Sequence, residues 1–472
     1  MNYSIACGNR LTAKAAEKIL NGGGNAFDSV VAASFASYST EPMLTSAAGV
    51  GAALLKPSGG RTKAVDFLAD FPTNGGKVKP VKKLADFGEE TQVFYLGYGS
   101  MAVPGNIAGM LHIHKNYCTL ELEELLKPAV SYAEGHKLDA MQAFINRILE
   151  LYCKYTEESR EVFAPKGRLL GKGETIRNRK FAEFLKILAE DENSAMDFYY
   201  KKIKESLEGK KSSLTFKDVK SYKAFERKPI SIQYNGYDIE LFPPPAAGGK
   251  LIAYGLELLK KQNPSQYEHN SAEHIRILAD IMKKCDKKRT SEFFKNILGG
   301  TTHISIIDSE GNAASMTTSN GQGAGVMIKD TGIMFNNFAG EPDLMQHAEL
   351  YRPGKRMTSM MTPTIISRNG KIHSVVGSGG SNRIRSAIMQ AVSNMIDFKM
   401  RPENASNSSR VHFENDLLQL EYGINEKTCE ELSREYKIHK WKSKNMFFGG
   451  VHIATPKGGG GDKRRGGYVI RK

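Results

Sequence analysis

The pattern of the chain changes near residue 301, and this change most constrains the fold. Helical patterns such as "LEELLKPAVSYAEG" and "SAEHIRILADIMKKC" dominate the middle, after two early strand-like runs, "GVGAALLK" and "TKAVDFL". Beyond residue 301, short strand-like runs follow one another. Among them, "PTIISRNGKIHSVV" contains the Asn-Gly pair that is typical of a tight hairpin. Strands flanked by helices in both parts predict stacked sheets covered by helices.

Composition and charge indicate a globular protein. The chain is 40% hydrophobic and 25% charged, and no apolar run approaches the length of a membrane span. Its first twenty residues are too polar for a signal peptide, so we expect a cytoplasmic protein without a membrane partner. The net charge is +15, but the lysine clusters are scattered, which favours a solvated surface over a nucleic-acid site.

The sequence has none of the common motifs for metals or cofactors. Its five cysteines are odd in number and form no Cys-x-x-Cys pair, which argues against a disulfide framework and a thiolate zinc site. A phosphate-binding loop of the Walker type and a Gly-x-Ser-x-Gly elbow are also absent. We therefore predict that the protein needs no cofactor and no metal.

A Gly-Thr pair at residues 300 and 301 stands directly before a strand-like run. It has two interpretations: a turn that enters a strand, or a concealed N-terminus. A threonine hydroxyl becomes a useful nucleophile when a base lies beside it, and a free α-amine on the same residue, with a pKa near 8, is such a base. Thr301 would gain that amine only if the bond after Gly300 were cut. Because Gly-Thr pairs are common, these residues alone favour the turn.

Seven short segments follow one another over nearly the whole chain. They are "GNRLTAKAAEKILNGGGNAFDSVVAASFA", "VPGNIAG", "FPPPAAGG", "TTHISIIDSEGNAAS", "MTSMMTPTII", "GSGGSNRI" and "GDKRRGG". In this order, they resemble the gamma-glutamyltranspeptidase family of N-terminal-nucleophile hydrolases. Each match is weak alone, but their order makes the resemblance specific.

The resemblance implies an α+β fold, a four-layer αββα sandwich. It divides the chain into a large-subunit-like segment, 1–300, and a small-subunit-like segment, 301–472, which form one intertwined domain. Self-cleavage before Thr301 would expose the nucleophile, which would form an acyl-enzyme with a small amide or γ-glutamyl-like substrate. Water or an amine would then accept the acyl group. The two subunits would stay together, and a homo-oligomer remains open.

The resemblance also implies roles for residues around Thr301. Ser319 or Thr318 stands near the family's second threonine, which orients the freed amine. Gly379 and Gly380 resemble the glycine pair whose backbone N–H groups stabilise the oxyanion. Each residue except Thr301 has an equally good structural interpretation, as a strand-end or turn residue.

Five further residues are matched to the substrate. Asn320 is similar to a substrate-binding asparagine. Thr358 and Ser359 stand where the family often has a serine pair that holds the substrate carboxylate. Glu341 or Asp343 is left to meet a substrate amine. As before, caps and turns are the structural alternatives.

The sequence departs from the family pattern where the glutamate group would bind. The family has Asp-Phe-Arg-Glu, and here Leu68 and Ala69 replace the arginine and the glutamate. Arginine binds a carboxylate through two charged hydrogen bonds, which leucine cannot supply. We therefore expect an amide-cleaving enzyme that handles γ-glutamyl groups poorly. Acylases for glutaryl or polyglutamate groups are the nearest variants, and an inactive binding or scaffold homologue is the alternative.

Overall fold

The computed structural model describes residues 2–86, 91–292, 300–340 and 351–472. Two antiparallel sheets form its centre. The first sheet has seven strands, in the spatial order Tyr468–Arg471, Ser4–Cys7, Gly300–Ile307, Ala313–Gly321, Val50–Lys56, Lys63–Phe67 and Phe225–Arg227. The second sheet has six, in the order Gly458–Gly460, Gly450–Thr455, Lys371–Gly379, Thr364–Arg368, Tyr237–Leu241 and Ile230–Tyr234.

Both sheets combine strands from the two segments of the chain. Ser4–Cys7 pairs with Gly300–Ile307 in the first sheet, and Tyr237–Leu241 pairs with Thr364–Arg368 in the second. The predicted hairpin is confirmed. Its turn residues, Asn369 and Gly370, have φ values of 51° and 75°, as a tight turn between twisted strands requires. Each sheet therefore contains strands from both the large-subunit-like and the small-subunit-like segment.

Helices cover the outer face of each sheet, which confirms the four-layer sandwich. The first sheet packs against helices through a core that includes Ile304 and Met316, and the second through a core that includes Val376. The helices in contact with the first sheet are Arg10–Asn21, Ala26–Thr40 and Asn106–Tyr117, and those in contact with the second are Ala247–Gln262 and Arg383–Ile396. Leu122–Glu134 packs on Ala26–Thr40, and Ala272–Glu292 packs on Ala247–Gln262. A third apolar cluster fills the space between the sheets.

Smaller elements complete the described part of the chain. The other α-helices are Ala140–Ile148, Glu150–Cys153, Glu157–Phe163, Arg179–Glu190, Glu192–Leu207, Phe216–Lys220, Pro402–Asn407 and Glu426–Ser433. Short strands pair as Val81–Asp86 with Thr91–Leu96, His136–Lys137 with Thr175–Ile176, Met327–Ile328 with Ile333–Met334, and Leu417–Leu420 with both Val411–Glu414 and Lys437–Lys440. Among the helices that the structure describes, none is long and apolar enough to cross a membrane.

The helix Ala26–Thr40 positions one side of the site. All its residues are buried, and a capping box between Asn25 and Asp28 fixes its start. It ends beside the first sheet, so that the next residue, Glu41, enters the protein interior.

Candidate active site

Thr301 lies near the start of a central strand of the first sheet and is 2% exposed. Side chains alternate between the two faces of a strand. On one face, the ring of His303 occupies the space where Gly377 of the second sheet would carry a Cβ atom. Thr301 is on this same face, and Thr302 is on the other, toward the helices. The nucleophile candidate therefore faces the interior between the two sheets.

The Ser319 hydroxyl forms hydrogen bonds with both the Thr301 hydroxyl and the carbonyl oxygen of Gly300, whose peptide bond would be cut. Ser319 pairs with Thr301 across the ladder, which is irregular between Gly300 and Thr301. The Thr301 Oγ1 donates to Ser319 Oγ at 3.3 Å, and Ser319 Oγ donates to the Gly300 oxygen. Ser319 Oγ also accepts from the Gly321 N–H at 3.1 Å. Because a hydroxyl has one proton, Ser319 can contact Thr301 only as an acceptor.

Thr318, the alternative to Ser319, faces away from Thr301. Its Oγ1 accepts a hydrogen bond from Thr45 Oγ1 at 2.9 Å on the helix side of the strand. Of the two residues, Ser319 is therefore the one in contact with the nucleophile candidate.

The predicted glycine pair lies close to the Thr301 backbone. A Cβ on Gly379 would lie 2.2 Å from the Thr301 oxygen, so only glycine allows this approach. Gly380 follows with φ of +126°, and a Cβ there would lie 2.7 Å from the Gly449 Cα atom. Arg465 Nη1 donates to the same Thr301 oxygen at 3.3 Å. Burial, and then the neighbouring charge of another arginine, lower the pKa of Arg465 to about 10.

A buried carboxyl group lies behind the nucleophile strand. Thr302 Oγ1 donates to Glu41 Oε2 at 2.7 Å, and Thr12 Oγ1 donates to Glu41 Oε1 at 2.9 Å. Burial raises the pKa of Glu41 to about 7, against the opposing effect of these two hydrogen bonds. A Cβ on Gly8 would lie 2.8 Å from Glu41 Oε2, so glycine makes room for the carboxyl group.

Sequence reasoning missed both Arg465 and Glu41. Arg465 lies in "GDKRRGG", a segment that resembles the family, but this resemblance implies no role for any of its residues. Glu41 directly follows the helix Ala26–Thr40, and no pattern in the sequence around it predicts that its side chain is buried.

Asn320 has a buried side-chain amide without a hydrogen-bond partner in the described part of the chain. Its backbone is fixed, because its N–H donates to Leu44 O at 3.0 Å and its carbonyl accepts from Gly323 N at 2.8 Å. The neighbouring Asn336 and Asn337, in contrast, use their amides to bind loops of the protein. The Asn320 amide thus differs from those of its neighbours, and its role toward a substrate stays a prediction.

Thr358 and Ser359 make contacts within the protein. Thr358 Oγ1 donates to Pro245 O at 2.8 Å, and Ser359 Oγ accepts from Met361 N at 3.1 Å. Ser359 O also accepts from Ala247 N at 2.8 Å. Both residues therefore hold the segment 242–249, and their role toward a substrate carboxylate stays a prediction. Glu341 and Asp343 lie outside the described residues.

Leu68 is buried in the apolar cluster between the sheets and is 1% exposed. A guanidinium group does come close, since Arg356 Nη1 donates to Leu68 O at 2.6 Å. That guanidinium is paired with Asp66 at 3.4 Å and Asp70 at 3.2 Å. The cation near position 68 is thus already neutralised by protein carboxylates.

The described ranges bring together no group of three or more His, Cys, Asp or Glu side chains that could hold a metal ion. The chemistry that the site offers is that of a hydroxyl nucleophile. The Thr301 hydroxyl donates to Ser319 Oγ, and the Gly379 backbone and Arg465 lie close to the Thr301 carbonyl oxygen.

Comparison with known proteins gives one family. The sequence profile described as "Gamma-glutamyltranspeptidase" matches residues 12–295 and 286–470, which together span most of the chain.

The named relatives include glutathione hydrolases, acylases and a capsule biosynthesis protein. The glutathione hydrolase proenzyme of Escherichia coli strain K12 is 29% identical, over 88% of this chain and 82% of that protein. The acylase ACY 1 proenzyme of Pseudomonas sp. strain SE83 is 27% identical, over 91% of this chain and 86% of that protein. The crystal structure of a cephalosporin acylase from Bacillus halodurans superposes with a TM-score of 0.84 at 23% identity, over 99% of this chain and 95% of that one, and shows a shared fold.

Proposed function

This chain belongs to the gamma-glutamyltranspeptidase family of N-terminal-nucleophile enzymes, and from that premise we propose that it cuts its own Gly300–Thr301 bond and then transfers acyl groups through Thr301. One observation carries the proposal. The Ser319 hydroxyl touches both the Thr301 hydroxyl and the Gly300 carbonyl oxygen. The Ser319 side chain therefore contacts both the nucleophile candidate and the carbonyl group that it would attack.

Self-cleavage proceeds in two steps, formation of an ester and its hydrolysis. The Thr301 oxygen attacks the Gly300 carbonyl carbon while Ser319 donates a hydrogen bond to the developing oxyanion. The hydroxyl proton passes to the Thr301 nitrogen as the C–N bond breaks, which leaves an ester between the two residues. Water then hydrolyses the ester, giving a carboxylate at Gly300 and a free hydroxyl and α-amine at Thr301.

The mature enzyme repeats this chemistry on a substrate. The α-amine of Thr301 takes the proton of its own hydroxyl, and the oxygen attacks the amide carbonyl of the substrate. Backbone donors at Gly379 and Gly380 stabilise the oxyanion. The proton goes to the leaving amine, an acyl-enzyme remains, and water or a second amine releases the acyl group.

We propose an acylase-like substrate range rather than a γ-glutamyl one. Leu68 is apolar and buried, and the nearby Arg356 is occupied by Asp66 and Asp70. A charged α-carboxylate entering this region would lose hydration without gaining a partner. Acyl groups without that carboxylate are therefore the better substrates. Among the relatives, the acylases carry names that fit this range.

Mass spectrometry of the acyl-enzyme tests the proposal. Mixing the mature protein with an acyl anilide and quenching in acid should add the mass of the acyl group to the 301–472 fragment, on Thr301. An adduct on another residue, or turnover by Thr301→Ala at the wild-type rate, would contradict the assignment of the nucleophile.

A further inference from the structure

Two buried amide side chains on one helix have no hydrogen-bond partner among the residues that the structure describes. Gln142 and Asn146 are each 1% exposed and lie four residues apart on the helix Ala140–Ile148, hence on the same face. Both atoms of each amide lack a partner. Burying an unpaired polar group is costly, so such groups call for an explanation.

A buried amide on another helix, that of Gln390, has hydrogen-bond partners for both of its side-chain polar atoms. Gln390 is 5% exposed, and its Nε2 donates to Ser386 O at 2.9 Å and Val411 O at 3.0 Å. Its Oε1 accepts from Val411 N at 3.0 Å. This contrast indicates that Gln142 and Asn146 were not placed to stabilise the fold.

The helix that carries them adjoins the nucleophile region. A Cβ on Gly466, the residue after Arg465, would lie 3.4 Å from Met141 Cβ. Arg465 in turn donates to the Thr301 oxygen. The start of the helix, at Met141, therefore lies next to Gly466, and the preceding residue, Arg465, binds the Thr301 oxygen.

The helix also shares its apolar neighbours with Asn320. One buried cluster includes Leu44, Ile145 and Met334. Leu44 O binds the Asn320 N–H, and the Cβ position of Gly323 is 2.4 Å from Met334 Sδ and 3.1 Å from Asn320 Nδ2. The helix that carries Gln142 and Asn146 and the residue that binds the Asn320 backbone therefore contribute to the same apolar cluster. Small-molecule pockets have this composition, apolar walls with a few polar groups.

We propose that Gln142, Asn146 and Asn320 form the polar part of the acyl-group pocket, and that this pocket takes a neutral carboxamide or peptide group. The proposal rests on the acyl-transfer function proposed above. Amides offer both donors and acceptors, which complement another amide. They supply no positive charge, so a carboxylate in the same place would remain uncompensated.

The experiment compares two acyl 4-nitroanilides of equal length, 4-carbamoylbutanoyl and glutaryl, on the self-cleaved protein. We expect the wild type to favour the carbamoyl substrate in kcat/KM by about tenfold or more. Gln142→Leu and Asn146→Leu should each reduce that preference by about tenfold, because leucine fills the space without hydrogen bonds. If neither anilide is turned over, the dissociation constants of glutaramide and glutarate give the same ratio.

Thermal unfolding supplies the second readout. Removing an unpaired buried amide should leave Tm unchanged or raise it, whereas Gln390→Leu, the matched control, should lower it. An unchanged substrate preference in both variants would overturn the proposal. So would a lowered Tm with equal loss on both substrates, which would indicate a structural role. Absence of cleavage before Thr301 in the wild type would instead contradict the proposed function.

Discussion

The Ser319 hydroxyl donates its proton to the carbonyl oxygen of Gly300, the residue on the acyl side of the bond before Thr301. The same oxygen atom of Ser319 accepts the Thr301 hydroxyl at 3.3 Å. In the proposed self-cleavage, this arrangement would polarise the Gly300 carbonyl and orient the Thr301 hydroxyl that attacks it. After cleavage, Ser319 stays next to Thr301, since both lie in paired strands.

Ser319→Ala should slow self-cleavage by about a hundredfold, as the loss of one donor to a developing oxyanion does in other enzymes. Denaturing gels over time measure the rate. The matched control is Ser315→Ala, in the same strand, where the serine donates to Val376 O and accepts from Thr364 N. The control should lose stability but keep its cleavage rate. Equal cleavage by both variants would refute the role given to Ser319.

Gly379→Ala should impair both folding and self-cleavage. The new methyl group would lie 2.2 Å from the Thr301 oxygen, a backbone atom that cannot turn aside. Gly458→Ala is the control, because nothing lies within 4 Å of its Cβ position in the same sheet. We expect a lower Tm and slower cleavage for Gly379→Ala alone. Wild-type cleavage by Gly379→Ala would show that the close approach is dispensable.

Glu41 should make stability depend on pH. Its pKa rises from 4.5 to about 7 in the folded protein, so the folded state holds the proton more tightly than the unfolded state. The resulting stabilisation is fully present below pH 4.5 and is lost as pH rises through 7, by on the order of 3 kcal/mol.

Glu41→Gln removes this titration while preserving size. The difference in Tm between wild type and Glu41→Gln isolates the effect from that of other groups, such as His452, whose pKa burial lowers to about 4. The wild type should lose stability relative to the variant between pH 5 and 8. A difference that stays constant over this range would mean that Glu41 does not titrate there.

The buried position of Leu68 predicts weak γ-glutamyl turnover. We expect kcat/KM for a γ-glutamyl anilide to lie about tenfold to a hundredfold below that for an uncharged pentanoyl anilide. Leu68→Arg should also lower Tm relative to Leu68→Met, because it buries a charge in an apolar cluster. Efficient γ-glutamyl turnover by the wild type would contradict this account of the pocket.

Local sequence patterns predict the stacked layers and the hairpin. These features depend mainly on neighbouring residues, such as the Asn369-Gly370 pair at the turn and the apolar residues of each strand. Position 301 was found through its Gly-Thr context and the ordered family segments. The choice between Ser319 and Thr318 was not accessible, since adjacent residues of a strand face opposite ways and the facing depends on register.

Residues brought in from distant segments could not be predicted. Arg465 reaches the Thr301 oxygen across 164 positions of the chain, and Glu41 reaches Thr302 across 261. Gln142 and Asn146 occupy ordinary polar positions of a helix, and only the packing around them makes them unusual. Burial of a polar group depends on tertiary contacts that no local pattern encodes.

The central claim, that Thr301 becomes an N-terminal nucleophile, is tested most directly by N-terminal sequencing after prolonged incubation of the purified protein. The wild type should yield a fragment that begins Thr-Thr-His-Ile, and Thr301→Ser should yield its counterpart more slowly. Thr301→Ala should stay intact while folding normally, because one hydroxyl contributes little to stability. A wild type that persists as one chain, or a fragment that begins at another residue, would contradict the claim.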